Sequence, residues 1–94
     1  MSTIYAVEYA YVTDRDEEMA ELRPAHRAFN QSLANEGRLL AAGPYVGTHD
    51  ALIVVRAEDE ADALALLEDD PFQQAGFIAT RTPRQWNPVI GVLA

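Results

Sequence analysis

The chain has 94 residues, a formal net charge of −8 and no cysteine. A length of this order suits one domain, placed here over residues 1–94, and buries only about 60–65% of the unfolded surface, so association with a second copy would add useful core. The composition excludes disulfides, thiolate chemistry, cysteine-ligated zinc and a lysine Schiff base, because every basic residue is arginine. It also argues against a nucleic-acid partner. No long apolar run or charged leader is present, so neither a membrane partner nor export is expected, and the cytoplasm is the expected location.

"TIYAVEYAYV" (3–12) is β-branched and aromatic. Tyr5, Val7, Tyr9 and Tyr11 alternate with Ile4, Ala6, Ala10 and Val12, so a strand covered on both sides is expected. Residues 13–37 follow as a helix with acidic residues at its start, where the helix dipole favours them, and Gly37 as the stop. Pro24 suits a first helical turn better than an interior, which predicts either a break near Arg23 or a main helix beginning at Pro24.

Within that helix Met19, Leu22, His26, Phe29 and Leu33 share one face. An imidazole in line with core residues is either a satisfied core histidine or a placed functional group, and the helix alone leaves both readings open.

"RLLAAG" (38–43) is a strand ending at Gly43-Pro44, and "ALIVVRA" (51–57) is its antiparallel partner across "PYVGTHD". Residues 58–70 form an acidic amphipathic helix with Ala61, Leu64 and Leu67 inward, and "PFQQAG" is a turn or short helical piece. The last strand starts at Phe77, is disturbed by Pro83 and ends at Pro88.

The order β-α-β-β-α-β is the ferredoxin-like pattern of the α+β class: a four-stranded antiparallel sheet, order 4-1-3-2, with both helices on one face. The bare face of the sheet calls for a second copy, giving a homodimer through the sheet. The same topology gathers the exit of strand 1, the start of helix 1, the strand 2–3 connection and the end of helix 2 at one end of the domain. His26 and Asp70 are therefore expected as neighbours. Arg23, Tyr9, Tyr11, Gly43, Pro44 and Phe72 lie around them, and Trp86 lies towards the far end.

An aspartate holding one imidazole nitrogen leaves the other free to exchange a proton with a substrate. The bland reading of Asp70 is an Asx turn before Pro71, and that of Arg23 a surface ion pair. Gly43-Pro44 reads as a turn, and Tyr9 and Phe72 read as core. His49 reads as a solvated loop residue, and a metal site from His26, His49 and Asp70 lacks ligand spacing, so no metal and no cofactor is expected.

"RPAH", "EGRLLAAGP" and "DPFQQAGF", in this order, resemble the signature stretches of the YciI-like proteins. That resemblance implies a dimeric α/β-barrel fold and a histidine/aspartate active centre, which falls on His26 and Asp70. The first expectation is thus a small-molecule enzyme doing elimination, isomerisation or hydrolysis, with Arg23, Tyr9, Gly43, Pro44 and Phe72 as substrate-binding residues. The rivals are a non-catalytic metabolite-binding or regulatory module, and a cofactor-free monooxygenase of the dimeric α/β-barrel type.

Overall fold

The computed structural model describes residues 3–94. The strands are β1 (Thr3–Tyr11), β2 (Leu39–Pro44), β3 (Asp50–Ala57) and β4 (Ile78–Trp86), and the helices are α1 (Asp16–Asn35), α2 (Glu60–Leu66) and α3 (Pro71–Gln74). They form one four-stranded sheet in the order β2-β3-β1-β4. All neighbours are antiparallel. The fold is the expected ferredoxin-like α+β arrangement.

Alternation along the central strands explains the layering. Tyr5, Val7 and Tyr9 of β1 and Ala51, Ile53, Val55 and Ala57 of β3 are buried beneath the helices, together with Leu33, Leu39, Ala63 and Leu67. Val7 pairs with Ile53 and Tyr5 with Val55, so the largest apolar side chains meet across adjacent strands on one face. The opposite face is less enclosed: Ile4, Ala6 and Ala10 of β1 are only half-buried. Cover on both sides of β1 is therefore not supplied by the chain itself.

The helices depart from expectation at three places. α1 does not break or begin at Pro24; it runs from Asp16 to Asn35 with Pro24 inside. The proline removes one helical donor, a local cost. The turns before it are held by tertiary packing instead: Met19 is buried with Phe72 and Phe77, and Leu22 joins the same cluster. His26 accordingly lies in mid-helix, well beyond the first turn where the dipole acts.

α2 stops at Leu66, capped at its start by the Asp59 carboxylate on the Asp62 amide (2.8 Å). It cannot reach Asp70 as a helix, because the residue before a proline is forced out of the α region. Asp70 has φ −56° and ψ 126° and caps α3 instead. Ala61 is exposed, and the inward side of α2 is Ala63 and Leu67 with Leu64 half-buried.

β4 continues through Pro83, opposite Val7. This is tolerated because β4 is an edge strand with a neighbour on one side only. Its last residue is Trp86, just ahead of Asn87-Pro88.

Candidate active site

The end of the domain near His26 is tied together by backbone. The Tyr11 amide donates to the His49 carbonyl (2.8 Å) and the Val12 amide to the Phe77 carbonyl (2.9 Å). These bonds fix the exit of β1 against the β2–β3 connection and the start of β4. α1 and α3 pack across this end.

His26 and Asp70, 44 positions apart in sequence, are in direct contact. Nδ1 of His26 lies 2.8 Å from Oδ1 and 2.9 Å from Oδ2 of Asp70. A carboxylate only accepts, so Nδ1 is the protonated nitrogen and donates to it. Asp70 is fully buried, and the same Oδ1 accepts the Phe72 amide at 2.9 Å. The Asx turn and the histidine partnership are thus two uses of one carboxylate: the turn aims the side chain inward, and the imidazole satisfies it there.

The imidazole ring stacks on Phe72, with centroids 4.1 Å apart and planes 5° from parallel. Phe72 meets Tyr11 edge-on at 5.7 Å, and Tyr11 meets Tyr9 at 6.2 Å. Two sides of the ring are therefore fixed, by a charge-assisted hydrogen bond and by an aromatic face.

The free nitrogen, Nε2, lies 3.4 Å from Nδ2 of Asn30, one helical turn further along α1. With Nδ1 protonated, a neutral ring presents Nε2 as an acceptor to the Asn30 amide. Oδ1 of Asn30 is buried and has no hydrogen-bond partner among the described residues. Rotating the amide by half a turn would let Oδ1 accept from a protonated Nε2. Asn30 is thus able to meet either protonation state of the ring.

Two adjoining cavities meet at His26, sharing Tyr11, His26, Arg27 and Pro44 in their walls. One, of about 470 Å³, lies between α1 and the β2–β3 pair and includes Gly43. The other, of about 530 Å³, is lined by Arg23, Met19, Asp16, His49, Asp50 and Phe72. Arg23, Gly43, Pro44 and Phe72 therefore gather around His26.

Tyr9 does not line these cavities: it is 1% exposed and lies in the core beneath Tyr11. Burial, and next the Asp70 charge, push its hydroxyl well above the usual phenol range. The same two causes push Tyr11 up to about 12. Both phenols stay protonated near neutrality.

His49 is exposed, as a loop residue should be, but it faces the second cavity with Nε2 3.4 Å from the Asp16 carboxylate. Among the described residues no three His, Cys, Asp or Glu side chains are grouped to hold a metal ion, and no helix is long and apolar enough to cross a membrane. Arg27 and Asn30 also stand in the cavity wall, in addition to the residues expected from the sequence. Helical spacing was the available signal, because Asn30 stands four residues after His26 and Arg27 four after Arg23.

Comparison with known proteins agrees with this geometry at the level of fold. No curated protein sequence matches the chain. A 5-chloro-2-hydroxyhydroquinone dehydrochlorinase from Burkholderia phenoliruptrix AC1100, solved with 2,5-dihydroxybenzoquinone, is similar at 18% identity and a TM-score of 0.77, covering 89% of this chain and 93% of its own. A NIPSNAP family protein from Agrobacterium tumefaciens strain C58 matches at 14% identity and a TM-score of 0.58, covering 95% and 94%. A candidate antibiotic biosynthesis monooxygenase from Nitrosomonas europaea matches at 16% identity and 0.58, covering 96% and 100%. The model of the YCII-related domain matches residues 1–87, nearly the whole sequence, and the chain belongs to that family.

Proposed function

We propose that this chain is a small-molecule enzyme in which His26 is the general acid–base group, oriented by Asp70. The observation that supports it is the buried pair: Nδ1 held by both carboxylate oxygens at 2.8 and 2.9 Å, with Nε2 turned towards Asn30 of the cavity wall. The carboxylate fixes the tautomer and stabilises the imidazolium that forms when Nε2 takes a proton. Arg23, in the adjoining wall, steadies a developing or resident negative charge. Gly43, Pro44 and Phe72 shape the cleft around the reacting position.

Proton removal at carbon or oxygen followed by departure of a leaving group is elimination; return of the proton elsewhere is isomerisation; activation of water is hydrolysis. Elimination has the added support of the structural likeness to a dehydrochlorinase. The binding-module reading uses the same cavities without turnover. The likeness to a candidate monooxygenase keeps the oxidative reading as the second alternative.

A panel of small halogenated and hydroxylated acids and phenols, incubated in heavy water, tests the proposal by proton NMR. Exchange or elimination that is lost in His26→Gln supports it. A ligand that saturates the wild-type protein and emerges unchanged and unexchanged supports the binding module. Oxygen consumption with a phenol supports the oxidative alternative.

The same reading includes a homodimer formed through the open sheet face. That face presents the half-buried Ile4, Ala6 and Leu52 with Trp86 at its rim, and Trp86 is 43% exposed. A cysteine-free chain suits the reducing cytoplasm.

A further inference from the structure

The walls of the cleft are unequal in charge. The chain holds 15 acidic residues against 7 basic ones. Even so, the cavity between α1 and β2–β3 has no carboxylate in its wall. Its lip is Arg27, Asn30 and Gln31 from successive turns of α1, and its floor is Leu39, Ala51 and Ile53. The second cavity holds the carboxylates, Asp16 and Asp50, with Asp16 beside His49.

Arg27 stands where the two cavities meet, and Arg23, one turn before it on α1, lines the second cavity alone. Arg15, Arg38 and Arg81 are each in an ion pair with a glutamate. Arg23, Arg27, Arg56 and Arg84 have no such partner among the described residues, and of these only Arg23 and Arg27 line the cavities. They are also spaced i, i+4 on one helix, where like charges repel by about 0.2–0.5 kcal/mol. Two unpaired guanidinium groups one turn apart, with His26 between them in sequence, are an arrangement that an anion would relieve.

We infer that the cavity between α1 and the β2–β3 pair is the subsite for a small organic monoanion with an apolar body. Its charge lies against Arg27, at the lip shared with the Arg23 side, its body rests on Leu39, Ala51 and Ile53, and its reacting position faces His26. A cavity of about 470 Å³ accommodates a single ring with substituents. A free cation is disfavoured by the two arginines, and a polyanion would meet Asp16 and Asp50 on the other side. This assignment deepens the acid–base reading, because it says what His26 acts on.

The test is a titration of the whole protein followed by amide chemical shifts, with acetate, cyclohexanecarboxylate, benzoate, benzamide and benzylamine as probes. Cyclohexanecarboxylate and benzoate are expected to shift Gln31, Ala34, Leu39 and Ile53. They should bind about tenfold more tightly than acetate, which lacks the body, and than benzamide, which lacks the charge. Arg27→Gln should erase the preference for benzoate over benzamide. Ala42→Trp, an exposed strand position in the cavity wall, should block both acids while leaving the fold intact.

Equal binding of benzoate and benzamide would overturn the assignment. So would preferred binding of benzylamine, shifts confined to Asp16 and His49, or no saturation of any probe at tens of millimolar. The readout needs no turnover, so the two readings fail separately. Acid binding without proton exchange on any substrate sinks the acid–base role alone, whereas a working His26–Asp70 pair that ignores every acid sinks the subsite alone.

Discussion

Replacing Asp70 with asparagine separates the structural use of the carboxylate from its chemical use. In the native site Oδ1 accepts the Phe72 amide at 2.9 Å and both oxygens face Nδ1 of His26. Asparagine is almost the same shape, and its carbonyl oxygen retains the cap of α3. Its NH2 group, however, faces Nδ1 and requires an acceptor there. The imidazole must therefore move its proton to Nε2, where Asn30 can accept it once its amide rotates. A charge-assisted bond worth about 1.5–3 kcal/mol is exchanged for a neutral one of about 0.5–1.5 kcal/mol. Removal of a fully buried charge returns part of that difference. The net loss is about 1 kcal/mol, which lowers the melting temperature by roughly 4–8 °C in a domain of this size. Turnover should fall much further, by about 10²–10⁴-fold, because Nε2 is no longer a base. Nitrogen-15 correlation spectra of the imidazole decide the matter. The native ring should show a protonated Nδ1 and Asp70→Asn a protonated Nε2. A mutant that keeps Nδ1 protonated, or that loses stability in proportion to activity, refutes this account of the pair.

His26→Ala is expected to be costly to the fold: it leaves a fully buried carboxylate without its partner and strips one face of Phe72, a loss of about 3–5 kcal/mol by chemical denaturation. His26→Gln, which fills the space and can donate to Asp70, should recover much of that stability but no turnover. Alkaline unfolding should begin above about pH 10. Tyr9 and Tyr11 have raised pKa values in the fold, so between the ordinary phenol value and about 12 the unfolded chain binds fewer protons than the native one. Stability is then full below pH 10 and falls by about 1.4 kcal/mol per pH unit for each phenol above it, as denaturant midpoints against pH would show. Light scattering should give a mass near twice 10.4 kDa, and Ala6→Glu on the open sheet face should reduce it to that of one chain.

The topology was legible because each element announced itself: a β-branched and aromatic run in β1, a short apolar run in β3, a 3.6-residue stripe from Met19 to Leu33, and punctuation by Gly37 and by Gly43-Pro44. What the sequence concealed was tertiary override. Pro24 argued for a helix boundary, and it would be one in an isolated peptide. The residues before it stay helical because Met19 and Leu22 bury against Phe72 and Phe77, which follow in the chain by some fifty residues. That the helix could not include Asp70 was legible in principle, since Pro71 disfavours the α region there; its stop at Leu66 was not. The acidic, helix-favouring composition of 58–70 masked it.

The two misreadings bear on the site in opposite ways. Because α1 continues through Pro24, His26 is not at a helix start, and the helix dipole leaves the ring's charge to the groups that touch it: Asp70, Phe72 and Asn30. Because α2 stops short, Asp70 is not a helix-end carboxylate in water but the cap of a separate short helix, turned inward and fully buried. A carboxylate in that position is costly to bury unless it is satisfied on every side, and the Phe72 amide alone leaves one oxygen without a donor. The imidazole supplies it. The pairing of His26 with Asp70 is therefore required by the packing of α3 as well as suited to proton transfer. Burial alone does not separate a structural histidine from a catalytic one here. The distinction lies at Nε2, the nitrogen turned towards Asn30 of the cavity wall, where a change that leaves the Nδ1 contact intact alters chemistry without altering the fold.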